Sequence, residues 1–331
     1  WSSSSLSRPG WLQRPRSRDA STATIVIWKY FAAIAAATVA WQVAHRTSPL
    51  VRRWRPSSFP RRIAGPLSVF DSGPTGRYND EALVILHGLG ATADYFGAFY
   101  DGLSRRRRVV IVDMLGFGHS LDEDRTDFSV DAHVGAIDQA LGALGLAESG
   151  VVIAAHSMST AIALTWADRN RHRAQHVYLW GPPIYPAGAA ADSVGREYGL
   201  MGRLFALDTK WAERACRINC MNRAVSGRMM AIMAPRWPTQ VSNRAARHTW
   251  DAYQQSLQVL ILDFNWAKVL PANVPVTIFH GVNDPIGDQS HIAKLMRTAV
   301  IVNVAGADHH IALERPDLLI DALEPADRVS G

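Results

Sequence analysis

The sequence predicts an α/β fold: a doubly wound, mostly parallel sheet with an inserted helical lid. Three observations predict it. Apolar, β-branched runs alternate with helical periodicity from Leu83 to Arg169 and again from Val276 to Leu323. Between these blocks, from Tyr185 to Trp266, the alternation stops and short helical patterns take over. A serine, an aspartate and a histidine each follow a predicted strand, and parallel sheets gather their sites at the carboxyl ends of strands. The 331 residues, 48% of them hydrophobic, are enough for a large core.

The chain divides into a basic leader (1–62), a first part of the sheet domain (63–184), the lid (185–266) and a second part of the sheet domain (267–331). Charge separates the leader from the rest. Through Arg62 there are eleven Lys/Arg and one acid, a net +10; the remaining 24 Lys/Arg and 28 acids net −4. Within the leader, Ile25 to Ala44 is a twenty-residue stretch with one charge, Lys29, and interfacial aromatics Trp28, Tyr30 and Trp41. Its length fits a membrane span of about 20 residues. The arginine excess on its carboxyl side then predicts a membrane-anchored protein with a cytoplasmic catalytic domain. The rival readings are a secretory signal, which Lys29 disfavours, and a helix docked on the domain, cytoplasmic or secreted.

In the first block, Val109 to Val112 is a continuous apolar run, as a strand buried on both faces should be. Ser129 to Leu144 carries apolar residues at Val130, Val134, Ile137, Leu141 and Leu144, the spacing of a helix packed on a sheet. Arg105 to Arg108 reads as a solvated helix end; without interleaved aromatics it is no nucleic-acid site. The lid pattern contains helices over Val194 to Leu207, Lys210 to Asn222, Ser226 to Ala234 and Ala245 to Leu262. Its Met201, Phe205, Met230 and Trp237 are candidates for an apolar substrate pocket, set against a plain core role. Cys216 and Cys220 are the only cysteines; four apart on a helix, they are poorly placed for a disulfide and lack partners for a metal, and they read as buried thiols.

The chemistry is carried by Val151-Val152-Ile153-Ala154-Ala155-His156-Ser157-Met158-Ser159. A strand that turns straight into a helix through a serine flanked by small residues is the layout of a nucleophile elbow. The small positions here are Ala155 and Ser159, where the pattern usually has glycine. Asp284 follows the strand Pro275 to Phe279, and the pair His309-His310 follows the strand Val300 to Val304. Serine, acid and histidine in this order match one known chain order for a Ser-His-Asp arrangement. Each residue also has a bland reading: Ser157 as a small residue at a strand–helix junction, and Asp284-Pro285 as a turn.

With Leu83-Val84-Ile85-Leu86-His87-Gly88-Leu89-Gly90 and Asp113-Met114-Leu115-Gly116-Phe117-Gly118-His119-Ser120, the chain resembles α/β-hydrolase fold serine hydrolases. That group includes single-domain esterases and carbon–carbon bond hydrolases. The resemblance runs from about Ile63 to the C-terminus. It implies Ser157 as nucleophile, Asp284 as the orienting acid and His309 as base, chosen over His310 because Glu314 and Pro316 fit the family spacing. It also implies an oxyanion hole from the backbone N–H groups of Leu89 and Met158. Serine at the elbow excludes relatives that use aspartate there. The expected activity is hydrolysis of an ester or related acyl bond of a small apolar substrate through an acyl-enzyme, with no cofactor and no metal. Alternatives are a carbon–carbon bond hydrolase and a ligand sensor that retains the fold without turnover. The sequence is silent on oligomeric state.

Overall fold

The computed structural model describes residues 19–74, 81–186, 189, 210–270 and 273–324. Eight strands form one sheet: β1 (Arg61–Ala64), β2 (Leu67–Asp71), β3 (Glu81–Leu86), β4 (Arg108–Val112), β5 (Gly150–His156), β6 (Ala174–Trp180), β7 (Val276–Gly281) and β8 (Val300–Val304). Their spatial order is β1-β2-β4-β3-β5-β6-β7-β8. The β1–β2 and β2–β4 pairs are antiparallel, and every later pair is parallel. The described helices are α1 (Asp19–Thr47), α2 (Pro49–Arg53), α3 (Val130–Ala143), α4 (Ser159–Arg169), α5 (Lys210–Met221), α6 (Arg223–Met233), α7 (Thr239–Ala245), α8 (Trp250–Leu257), α9 (Gln289–Leu295), α10 (Ile311–Glu314) and α11 (Pro316–Leu323).

The doubly wound arrangement follows from the two-residue period of the buried strands. Val84 and Leu86 of β3 join one cluster with Ile137 and Leu141 of α3 and Ile162 and Trp166 of α4. Leu83 and Ile85 point the other way, into a cluster with Tyr95, Phe96, Tyr100 and Leu319 and Leu323 of α11. Helix α3 starts where Ser129 accepts a hydrogen bond from the Ala132 N–H at 3.2 Å, an N-cap that sets its entry to the sheet. Register then aligns the strand ends. Leu86 lies opposite Ala155, His156 opposite Trp180, and Gly281 opposite Val304, so the loops after β3, β5, β6, β7 and β8 share one edge.

The leader corrects the expectation of a membrane anchor. No helix among the described residues is long and apolar enough to cross a membrane, so the span over 25–44 and the membrane-anchored, cytoplasm-facing arrangement built on it are overturned. Seven of the twenty residues from Ile25 to Ala44 are alanines, whose single methyl gains little on leaving water, and Lys29 lies among them. The carboxyl end of the leader is tied to the rest of the chain. His45 Nδ1 donates to Pro235 O at 2.8 Å, Ser48 Oγ donates to Arg236 O at 2.7 Å, and Trp54 is buried. Arg61 belongs to the sheet itself and pairs with Asp113 at 2.5 Å and Asp94 at 3.1 Å.

The run Arg105 to Arg108 also departs from expectation. Arg107 is buried and paired with Glu81 at 2.6 Å, and Arg108 pairs with Asp71 at 2.8 Å. Two of the four arginines therefore tie strand ends together instead of facing solvent.

His133 of α3 is buried beside Ser256 of α8, where loss of hydration holds its pKa down to about 3. In the unfolded chain it protonates near its ordinary value, so between about pH 6.5 and about 3 the unfolded state binds the extra proton and stability falls with pH. His133→Leu should remove this slope, sparing on the order of 1 kcal/mol of loss between about pH 6.5 and 5. Denaturant unfolding of both forms across that range measures it; equal acid sensitivity would contradict the assignment.

Candidate active site

Strand β5 ends at His156, and the next residue turns the chain into α4. Ser157 has φ 53°, the only non-glycine residue with positive φ among the described residues. That conformation costs an L-residue roughly 1–2 kcal/mol, so the surroundings must hold it. Ser157 N–H donates to Trp180 O at 2.9 Å, and Thr160 returns two bonds to Ser157 O, from N–H at 3.0 Å and Oγ1 at 2.6 Å. Ser159 Oγ donates to His87 O at 2.5 Å, which fastens the turn to the loop after β3. Gly88 in that loop is required by contact. A Cβ there would lie 2.9 Å from Ser157 Cβ and 2.9 Å from His156 Nδ1.

The other two residues meet across the ends of β7 and β8. His309 Nδ1 lies 3.0 Å from Asp284 Oδ2 and 3.1 Å from Oδ1, and both residues are buried. The carboxylate accepts, so Nδ1 carries the proton and Nε2 keeps the lone pair. Asp284 also accepts from the Ile286 N–H at 2.8 Å, which fixes its rotamer. His309 and Ser157 line the same cavity, of about 600 Å³.

That cavity is mostly apolar. Of the candidate pocket residues, Met230 and Trp237 line it, while Met201 and Phe205 lie outside the described residues. Leu89 lines it next to Gly88, and Met158 is fully buried at the start of α4. Neither the Leu89 nor the Met158 N–H is taken by a hydrogen bond among the described residues. His87 shapes this loop: its Nε2 accepts from the Met114 N–H at 2.9 Å while Nδ1 donates to Gly88 O at 2.8 Å. Burial lowers its pKa, in keeping with that neutral tautomer.

Two residues here escape sequence reasoning. His156 reads as a structural residue turned away from the serine, yet it lines the cavity, 4.8 Å from the His309 ring between centroids. Its Nε2 donates to His309 O at 2.8 Å and its ring stacks on Tyr95, so it braces the histidine loop. Burial, with the neighbouring His309 and His310, drives its pKa well below the ordinary value. Gly181 is the second. At φ 56° its missing Cβ would stand 2.9 Å from Asp284 Oδ2 and 3.0 Å from His309 Nδ1. A glycine after a strand is a sequence signal, but what it makes room for is set by the fold. His310 lies aside from the Asp284 carboxylate: its Nδ1 is 3.3 Å from Tyr95 Oη, its ring packs edge-on against Trp237, and burial lowers its pKa to about 4.

Comparison with known proteins agrees with this architecture. The sequence model for the alpha/beta hydrolase fold matches residues 81–316, and the chain belongs to that family. It is an enzyme of the hydrolase class the family defines. A cis-3-alkyl-4-alkyloxetan-2-one decarboxylase from Xanthomonas campestris pv. campestris is 22% identical over 78% of this chain and 90% of its own. Among solved structures, E-2-(acetamidomethylene)succinate hydrolase superposes with a TM-score of 0.60 at 18% identity, covering 80% of this chain and 97% of that one. A thermophilic esterase from Thermogutta terrifontis gives 0.56 at 18%, covering 80% and 96%.

The strain at position 157 yields a direct prediction. Ser157→Ala keeps the Cβ in the left-handed region and Ser157→Gly removes it. The glycine variant should be the more stable of the two by about 1 kcal/mol, measured by denaturant unfolding. Equal stabilities, or a more stable alanine variant, would mean that the turn stores no strain.

Proposed function

We propose that this protein is a serine hydrolase that cleaves an ester or related acyl bond of a small apolar substrate through an acyl-enzyme on Ser157. The observation that carries this reading is the strained Ser157 sharing one cavity with His309, whose Nδ1 is bonded to the buried Asp284. In this mechanism the substrate carbonyl enters beside Ser157 Oγ. His309 Nε2 takes the serine proton as Oγ attacks, and returns it to the leaving group as the tetrahedral intermediate collapses. Asp284 keeps the imidazole tautomer and stabilises the imidazolium without taking the proton. The backbone N–H groups of Leu89 and Met158 receive the developing oxyanion; each such donor is typically worth about 10²–10³ in turnover. Water then repeats the cycle on the acyl-enzyme.

The apolar cavity wall supports an apolar substrate, and Met230 and Trp237 would contact it. The inserted helices α5 to α8 would act as a lid that limits water at the ester. An alkyl-bearing substrate also suits the dialkyl oxetanone named for the Xanthomonas relative.

Variant kinetics with p-nitrophenyl esters test the roles. Asp284→Asn should keep the fold and lose up to about 10⁴ in kcat. His309→Ala should abolish turnover while His310→Ala keeps most of it. A fully active Asp284→Asn, or the reverse order of the two histidines, would contradict the assignment.

A further inference from the structure

Cys216 and Cys220 stand one turn apart on α5, with their sulfurs against the loop that enters α8. The sulfurs are 3.6 Å apart, and His248 Nε2 is 3.7 Å from Cys216 Sγ. One donor atom from each of the three residues lies within 4.8 Å of the other two. In sequence the cysteines lack a third partner; His248 is 28 residues beyond Cys220 and only the fold brings it to them. We propose that Cys216, Cys220 and His248 form a binding site for a thiophilic cation of the Zn²⁺ class.

Three features support the site. The first is spacing. Two thiolates on a tetrahedral Zn²⁺ at about 2.3 Å stand about 3.8 Å apart, and a thiolate and an imidazole about 3.5 Å. The Cys216–Cys220 and Cys216–His248 separations already approach these values, and the third pair of donors lies within 4.8 Å. The second is the tautomer. His248 Nδ1 donates to Ala245 O at 3.0 Å, leaving the lone pair on Nε2, the nitrogen beside Cys216. A backbone carbonyl that fixes the far nitrogen is how metal-binding histidines are usually oriented. The third is donor chemistry: two sulfurs and an imidazole select Zn²⁺ or Cu⁺ over Mg²⁺ or Ca²⁺.

His248 is held without any metal. Gly118 N–H donates to Arg247 O at 2.8 Å, and Phe117 and His248 form an antiparallel bridge. His248 also lines the cavity. A cation would therefore pin α5 to the cavity wall. Binding releases one proton from each thiol and none from the neutral imidazole; the two thiolates balance the charge of the dication, and water completes the coordination.

The full chain, reduced and freed of metal with a chelator, would be titrated with Co²⁺ and then Zn²⁺. The expected result is one Co²⁺ per chain with thiolate-to-cobalt charge-transfer absorption, lost when Zn²⁺ displaces it. These are the only cysteines in the chain, so the band can report on no other site. Cys216→Ser and Cys220→Ser should each weaken Zn²⁺ binding by about tenfold or more, and so should His248→Gln. Zn²⁺ should raise the Tm of the wild type and leave that of Cys216→Ser unchanged. Absence of the charge-transfer band in the reduced protein would overturn the proposal. A band that survives either serine substitution, or one undiminished in His248→Gln, would overturn it as well.

Discussion

The left-handed turn at Ser157 is the constraint around which the neighbouring structure is arranged. A serine at φ 53° is stable only when bonds on both sides prevent relaxation. Strand β6 supplies one through Trp180 O, helix α4 supplies the bonds from Thr160, and the loop after β3 is drawn in by Ser159. Close approach of these elements leaves no room for a side chain at Gly88, and Asp284 and His309 leave none at Gly181. The small residues Ala155 and Ser159 on either side of the turn follow from the same crowding. The turn is thus held from β6, α4 and the loop after β3, and Ser157 lines the cavity.

Around that point the polar groups are arranged to stay in fixed protonation states. Buried histidines would be a liability if they could charge, and here burial keeps His87, His156 and His310 neutral in defined hydrogen bonds. His309 differs in its partner, the buried Asp284 carboxylate that accepts from its Nδ1. The neighbouring histidines His87 and His156 hold the loops in place through their ring hydrogen bonds.

How much of this was legible in the sequence depended on whether a signal was local. The strands Leu83 to Leu86, Val109 to Val112 and Val300 to Val304 and the helix after Ser129 are local hydrophobic patterns, and they appear within a residue or two of the expected bounds. Ser157, Asp284 and His309 stood out because each sits in a short motif after a strand. Gly181, His156 and the Cys216–Cys220–His248 cluster did not, because their roles arise from contacts between distant segments. The leader misled for a different reason. Length and the near-absence of charge looked like a membrane span, but no helix among the described residues is long and apolar enough to form one. Arg107 read as solvated charge because burial beside Glu81 cannot be seen in a run of arginines.

The proposed chemistry depends on Ser157 being an activated nucleophile. The most direct measurement is to incubate the full chain with a fluorophosphonate probe and map the modified residue by mass spectrometry, with ester turnover of the unlabelled protein followed alongside. A single modification on Ser157, abolished by Ser157→Ala, together with sustained turnover is the expected result. A folded protein that takes up no probe, or takes it up at another residue, would contradict it.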